Sequence, residues 1–145
     1  MSEKQLPIRF RLVNIEEKQF SIFEDVLKLE NSIREKVGSG FGINVEQRVI
    51  GCGIEYMLLR DDKPFLHIEV VCYFKIEKED FKHKLIKDGN IILPVGFAKH
   101  LATITTGTAR GVLYSHTRNT AFRDYFMSLV NIDDILGDKD VALKT

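Results

Sequence analysis

Apolar and polar residues alternate along much of the first half of the chain. In PIRFRLVNI, Ile8, Phe10 and Leu12 fall on one side and two arginines fall on the other. A period of two is typical of a β-strand, and QFSIF is its expected continuation after a bulge at Glu16–Lys18. The next segment, Val26 to Lys36, has too poor an apolar stripe to decide between helix and strand.

Two longer apolar runs form the clearest pair of strands. RVIGCGIEYMLLR and PFLHIEVVCYFKIE are joined by the short turn DDK, which predicts a β-hairpin. Six apolar residues on one side of the second strand define a core-facing side: Leu66, Ile68, Val70, Cys72, Phe74 and Ile76. On the opposite side Phe65, Val71 and Tyr73 need a cover or a partner.

Two glycine-rich segments look at first like phosphate-binding loops. GSGFGIN, Gly38 to Asn44, lacks the G-x-G-x-x-G spacing and is not followed by a helix, so it predicts a twisted or bulged strand. GTARG, Gly107 to Gly111, lacks the lysine and hydroxyl residue of a Walker loop and lies inside a helical pattern. Amides in the middle of a helix are already bonded and cannot bind an anion. The two glycines instead predict a close approach of another element.

The second half of the chain changes to a helical period. Pro94 is expected to open a long helix, because a proline at a helix start loses no hydrogen bond. An apolar stripe then runs at spacings of three and four, through Phe97, Leu101, Ile104, Thr108 and Val112. A strip of small residues lies beside it, at Ala98, Ala102 and Ala109.

Shorter elements surround this helix. KEDFKHKLIKDGN predicts a short helix that ends near Gly89, and LVNIDDIL predicts a last helix with Asn131 as its N-cap and two aspartates in its first turn. The tail, residues 137–145, is polar and expected to be flexible. The predicted fold class is therefore α+β: a four-stranded antiparallel sheet, then a long helix, a crossover loop and a short C-terminal helix on one face.

Composition narrows the function classes. The 145 residues predict a single domain, 1–145, and the 21 basic and 21 acidic residues argue against a nucleic-acid or membrane-surface partner. No apolar stretch is long enough to span a membrane, and the N-terminus has no signal-peptide pattern, so a cytoplasmic location is expected. Cys52 and Cys72 lie in apolar runs and are expected to be reduced core residues.

Catalytic and metal-binding motifs are absent from the sequence. The four histidines form no H-x-x-x-H or H-E-x-x-H motif, and there is no C-x-x-C or G-x-S-x-G motif. Asp61 and Asp62 fit a turn between strands, and Asp133 and Asp134 fit the first turn of a helix. We therefore assign no catalytic residue, no metal ligand and no cofactor, and expect the protein not to be an enzyme.

The helical half resembles SecB, the protein-export chaperone. ILPVGFAKHLATITTGTARGVL, followed by SLVNIDDIL, is similar to that family's pattern of a proline opening the long helix, an Arg-Gly pair near its end, and a Leu-x-Pro-Val-Asn-type start of the last helix, whose proline is absent here. The matching residues are Pro94, Arg110, Gly111 and Leu129 to Asn131, and the preceding strands agree in order. SecB proteins are typically strongly acidic, which helps them to meet the motor SecA. This chain has no net charge and so lacks the acidic character that favours SecA. SecA is therefore a weaker expectation than a polypeptide client.

The resemblance implies an ATP-independent holder of unfolded or extended polypeptide. The candidate client-binding residues are Phe41, Phe122, Tyr125, Phe126 and Met127. It also implies a homo-oligomer, a tetramer first and a dimer second. The expected interface residues are Ile8, Phe10, Gly107, Arg110 and Gly111. Two alternatives stay open: a small-ligand-binding or enzymatic α+β domain, and a dedicated antitoxin-type chaperone for one partner.

Overall fold

The main sheet holds the longest strands of the protein. The computed structural model describes residues 7–23, 33–127 and 131–144. The sheet is antiparallel, and its strand order is β1-β4-β3-β2. Its strands are β1 (Phe10–Ile22), β2 (Ile33–Asn44), β3 (Val49–Arg60) and β4 (Lys63–Ile76). The predicted α+β class and the four-stranded antiparallel sheet are confirmed, and β1 lies at an edge as expected.

The remaining elements cover one face and one end of this sheet. Helix α1 (Lys78–Asp80) continues into a π-helical turn (Phe81–Leu85). A small second sheet contains β5 (Ile86–Lys87), β6 (Asn90–Leu93) and β7 (Val141–Leu143), in the order β5-β6-β7. The long helix is α2 (Val95–Thr117) and the short one is α3 (Ile132–Leu136).

The β3–β4 hairpin forms as the apolar alternation predicts. Its two-residue turn, Asp61 and Asp62, has positive φ at both positions, which suits the right-handed twist of the strands. All six residues of the predicted core-facing side of β4 are fully buried. Phe65, predicted on the opposite side, is also buried, because an irregularity at Leu58/Leu59 precedes it and the crossover residue Phe122 covers it.

The two edge strands differ in regularity. In β1 the pairing with β4 shifts twice, between Leu12 and Asn14 and again between Glu17 and Gln19; the second shift lies at the predicted bulge. In β2 the pairing with β3 is continuous from Ile33 to Asn44. The GSGFGIN segment is therefore a strand, as expected, but it is not bulged.

Helix α2 packs on the sheet through a different stripe from the one predicted. Pro94 precedes it as expected. The buried residues of the helix are Ala98, Leu101, Ala102, Thr105, Thr106, Ala109, Leu113 and Thr117. The strip of small residues thus faces the sheet, whereas Phe97, Ile104 and Val112 are only half-buried. Small side chains allow a helix to lie close to strands that carry large ones, so the bulky residues of the sheet fill the space between the layers.

Two apolar clusters lie between the sheet and α2, one under each half of the helix. The first contains Ile50, Phe74 and Leu101, and the second contains Tyr56, Ile68 and Leu113. The two cysteines are free and buried in the first cluster, opposite each other on β3 and β4. Burial raises the pKa of the Cys52 thiol to about 11.

The C-terminal part of the chain corrects two expectations. The short helix ends at Leu85 rather than near Gly89, because Asp88 and Gly89 form the turn of the β5–β6 hairpin with positive φ. The tail, expected to be flexible, is partly ordered. Its residues Val141–Leu143 form β7, which pairs with β6, and Leu143 is buried in the first cluster. The predicted last helix forms, with Asn131 accepting a hydrogen bond from the amide of Asp133 at 3.0 Å. The Leu129 and Val130 of the SecB-like motif lie outside the described residues.

Candidate functional site

The face of the sheet away from α2 carries a patch of bare backbone. Side chains alternate along each strand, so the residues that lie between the buried ones in the sequence point to this open face. The register brings five glycines together there on neighbouring strands: Gly38, Gly40 and Gly42 of β2, and Gly51 and Gly53 of β3. Gly42 lies opposite Gly51, and Gly40 lies opposite Gly53.

Two side chains of β4 form a wall beside this patch. Val71 lies opposite Gly53 and Tyr73 lies opposite Gly51. A Cβ at Gly51 would come within 3.2 Å of the Tyr73 ring, so this glycine makes room for the ring. At Gly38, Gly40 and Gly42 an added Cβ would meet nothing within 4 Å. Packing within the chain therefore does not require glycine at those three positions.

The bare backbone and the wall together form an open groove of about 720 Å³. Its lining extends from Asn44 and Gln47 at one end, over the glycines, to Glu55 and Glu69 at the other. The Tyr73 hydroxyl donates a hydrogen bond of 2.6 Å to Glu16 of β1, which also pairs with Lys18 at 3.2 Å. The bond from Tyr73 lowers the pKa of Glu16, and in return it raises the pKa of Tyr73. The wall is thus held from the β1 side.

Charges of opposite sign lie at the two ends of the groove. At one end Glu55 and Glu69 are direct neighbours on β3 and β4, and Glu55 also contacts His67 at 3.3 Å. At the other end Lys75 of β4 and Arg11 of β1 lie opposite each other, just beyond the groove lining and in the same cross-strand row as the lining residues Asn44 and Val49. In the described part of the chain neither Arg11 nor Lys75 makes an ion pair.

The crossover segment after α2 presents a second apolar surface. The ring of Phe126, 61% exposed, stacks on that of Tyr114 of α2, 49% exposed, with centroids 5.9 Å apart. Tyr125 is half-buried and meets the edge of Phe65 at 5.5 Å. We call Tyr114, Tyr125 and Phe126 the crossover aromatics.

Not all of the predicted client-binding residues lie on that surface. Phe122 and Met127 are buried in the second cluster, beside Leu113, so their side chains support the crossover from below. Phe41 is half-buried on the opposite side of β2 from the glycines and packs against the first cluster. The structure therefore brings Tyr125 and Phe126 together and leaves Phe41 apart from them. Tyr114, which the sequence analysis did not select, lies on the same surface as Phe126.

The predicted interface residues fall on two separate elements. Ile8 and Phe10 are half-buried against the first cluster, and the Phe10 ring meets the rings of Phe74 and Phe97 edge-on at 5.6 Å. Gly107 and Gly111 are exposed on the outer face of α2, where an added Cβ would meet nothing within 4 Å. Arg110 is half-buried beside them on the helix. GTARG lies in the interior of α2, as its helical pattern predicted, but no other element of the described chain makes the predicted close approach to its two glycines.

The described part of the chain has neither a metal-binding cluster nor a membrane-spanning helix. Within residues 7–23, 33–127 and 131–144 no three His, Cys, Asp or Glu side chains come together as they would around a metal ion. No helix in those ranges is both long enough and apolar enough to cross a bilayer.

The glycine patch was also missed from the sequence, although a signal for it exists. GSGFG and GCG place glycines at every second position, which is the period of a strand and predicts that they share a face. What the period does not show is that the two runs are paired neighbours. That depends on the register of β2 against β3.

The fold is similar to that of proteins of known structure. No family model matches the chain, and no curated protein matches it. Among solved structures, the chain is similar to the Mycobacterium tuberculosis Rv1957 SecB-like chaperone, solved in complex with a ChAD peptide from the Rv1956 HigA1 antitoxin. Sequence identity is 14%, the TM-score is 0.45, and the match covers 86% of this chain and 87% of that chain. At these values the likeness assigns no function to this chain.

Proposed function

We propose that this protein binds unfolded or extended polypeptide without ATP and keeps it from aggregating. The observation that carries the proposal is the exposed stack of Phe126 on Tyr114, next to the half-buried Tyr125. Large aromatic rings left in water are unfavourable in a monomer, and exposed apolar patches mark binding sites. A few hot-spot residues supply most of the binding free energy at protein interfaces, and tyrosine is enriched among them.

The form of the groove on the open sheet face supports the same reading. A small-molecule enzyme usually encloses its ligand in a cavity with a few convergent polar groups. Here the 720 Å³ groove is open along the surface of the sheet, and its floor is main chain rather than functional side chains. An extended chain fits such a surface better than a compact metabolite does.

Holding needs no chemical step. A surface that binds unfolded chain lowers the concentration of free unfolded molecules by mass action, so aggregation slows in proportion to the sites occupied. The proposal includes a homo-oligomer, with the outer face of α2 as one contact.

An aggregation-suppression assay tests the proposal. The protein is added at stoichiometric excess to a chemically denatured client, and light scattering is followed after dilution. We expect the unmodified protein to suppress scattering. The double variant Tyr114→Ser, Phe126→Ser should bind the client about tenfold more weakly, as loss of an aromatic hot spot does.

A matched control separates this surface from exposed apolar residues in general. Leu12 on β1 is 43% exposed, and Leu12→Ser removes exposed apolar surface elsewhere on the protein. This variant should protect the client as well as the unmodified protein does. No protection by the unmodified protein at excess, together with no complex on gel filtration, would contradict the proposal.

A further inference from the structure

We propose that the groove on the open sheet face is a second binding site, which takes an extended segment carrying one acidic and one basic residue about six positions apart. The inference deepens the proposed function, since it names the class of segment that the protein selects. It depends on the glycine patch and on the charges at the groove ends, and not on the crossover aromatics.

The glycines of β2 destabilise the sheet unless another chain occupies the space above them. A glycine inside a strand weakens the sheet, because it loses more conformational freedom on folding and has no side chain to pack. Gly38, Gly40 and Gly42 each leave open space where a side chain would lie. Glycine at such positions often marks a place where another backbone approaches closely.

The shape of the groove suits an extended chain. Its floor spans two neighbouring strands, and Val71 and Tyr73 form an apolar wall along one side. Side chains of an extended segment alternate between two faces, so every second one would point to the floor. Small or flat residues are accommodated above the glycines, and one apolar residue can lie against Tyr73.

The charges near the two ends of the groove favour one class of segment. Lys75 and Glu69 are six residues apart on β4, on the same face, which is a distance of about 20 Å along a strand. Arg11 reinforces the basic end and Glu55 the acidic end. Two carboxylates on directly opposite residues repel each other, and this repulsion is only partly offset, by His67 at 3.3 Å from Glu55 and by the electrostatic attraction between Lys18 and Glu69. A cation from a bound segment at this end would relieve that repulsion, and a carboxylate would meet Lys75 and Arg11 at the other end.

Two isomeric peptides test the spacing. The probe is a fluorescent peptide of about nine residues with a central Phe, small neutral residues, and Asp and Lys about six positions apart. Its control has the same composition with Asp and Lys adjacent. Because an extended peptide can bind in either direction, this pair tests spacing rather than orientation. We expect the spaced peptide to bind about three- to tenfold more tightly at low salt, as two surface ion pairs allow, with the difference lost at about 1 M salt.

Two protein variants test the site. Gly40→Val fills the floor and should weaken the spaced peptide about tenfold, while thermal stability stays the same or rises because valine favours strands. Ser21→Val on β1, on the same face but outside the groove, is the matched control and should bind normally. Glu55→Lys with Glu69→Lys should transfer the preference to a peptide with Asp at both positions.

The outcomes separate the two proposals. Equal binding of the two isomers, or unchanged binding by Gly40→Val, would overturn the groove site. If the groove site is overturned but the crossover double variant loses client protection, the proposed function stands without this second site. If Gly40→Val loses the peptide and the crossover variant keeps full client protection, the groove is confirmed and the crossover surface is not the client site.

Discussion

Asp80 is the residue on which the junction between β1 and α1 depends. It is buried, and it accepts hydrogen bonds from the backbone amide of Arg9 at 2.8 Å and from the Arg9 guanidinium at 3.0 Å. Lys84 adds an ion pair at 3.1 Å. The hydrogen bond from the Arg9 side chain, with these other contacts, holds the pKa of Asp80 well below its usual range. No sequence pattern indicates this role, because Arg9 lies 71 positions away.

The depressed pKa predicts how stability depends on pH. The ionised carboxylate stabilises the fold at every pH above the ordinary Asp pKa of about 3.9, and this contribution is lost as the pH falls towards the depressed value. Asp80→Asn should therefore unfold several degrees lower than the unmodified protein at pH 7, and the difference should shrink steadily below about pH 4. Thermal melts by circular dichroism across this range would measure it. A difference that stays constant down to acid pH would contradict the assignment.

At the scale of elements, the face of α2 shows what the sequence could predict. The helix, its start after Pro94 and the strand alternation follow from local patterns, which act over neighbouring residues. The choice of face does not, because an apolar stripe and a small-residue strip lie side by side on the helix. The sheet decides between them: β3 and β4 fill the interior with residues such as Tyr56 and Phe74, so the helix must supply small ones. Strand β7 was missed for a related reason, since its partner β6 lies about 50 positions earlier.

This packing predicts a marked difference between neighbouring positions of α2. Ala102 is fully buried against the sheet, whereas Thr103 is exposed. Ala102→Leu should lower the free energy of unfolding by about 1–3 kcal/mol, because extra volume in a packed core forces its neighbours apart. Thr103→Leu, the matched control, should change it by less than about 0.5 kcal/mol. Urea denaturation would measure both, and equal effects would show that the helix is rotated from the position described here.

At the scale of the whole molecule, we expect the outer face of α2 to be the contact of the homo-oligomer that the proposed function includes. Glycine in a helix interior costs about 1 kcal/mol relative to alanine, and Gly107 and Gly111 face open space on the exposed side. A second helix that approached this smooth face would bury the exposed backbone. Interfaces of specific complexes bury more than about 1,000 Å², so a contact of this kind needs more of the outer face than the two glycines alone.

The matching prediction separates assembly from folding. Gly111→Leu should stabilise the helix of an isolated chain by up to about 1 kcal/mol, since leucine is a far better helix former than glycine. The same side chain would hold a partner helix away, so the oligomer should dissociate at micromolar concentration while the variant stays folded. Light scattering with circular dichroism measures both effects. If the unmodified protein has a mass near 16.7 kDa, it is a monomer, and the two glycines then serve no contact between copies.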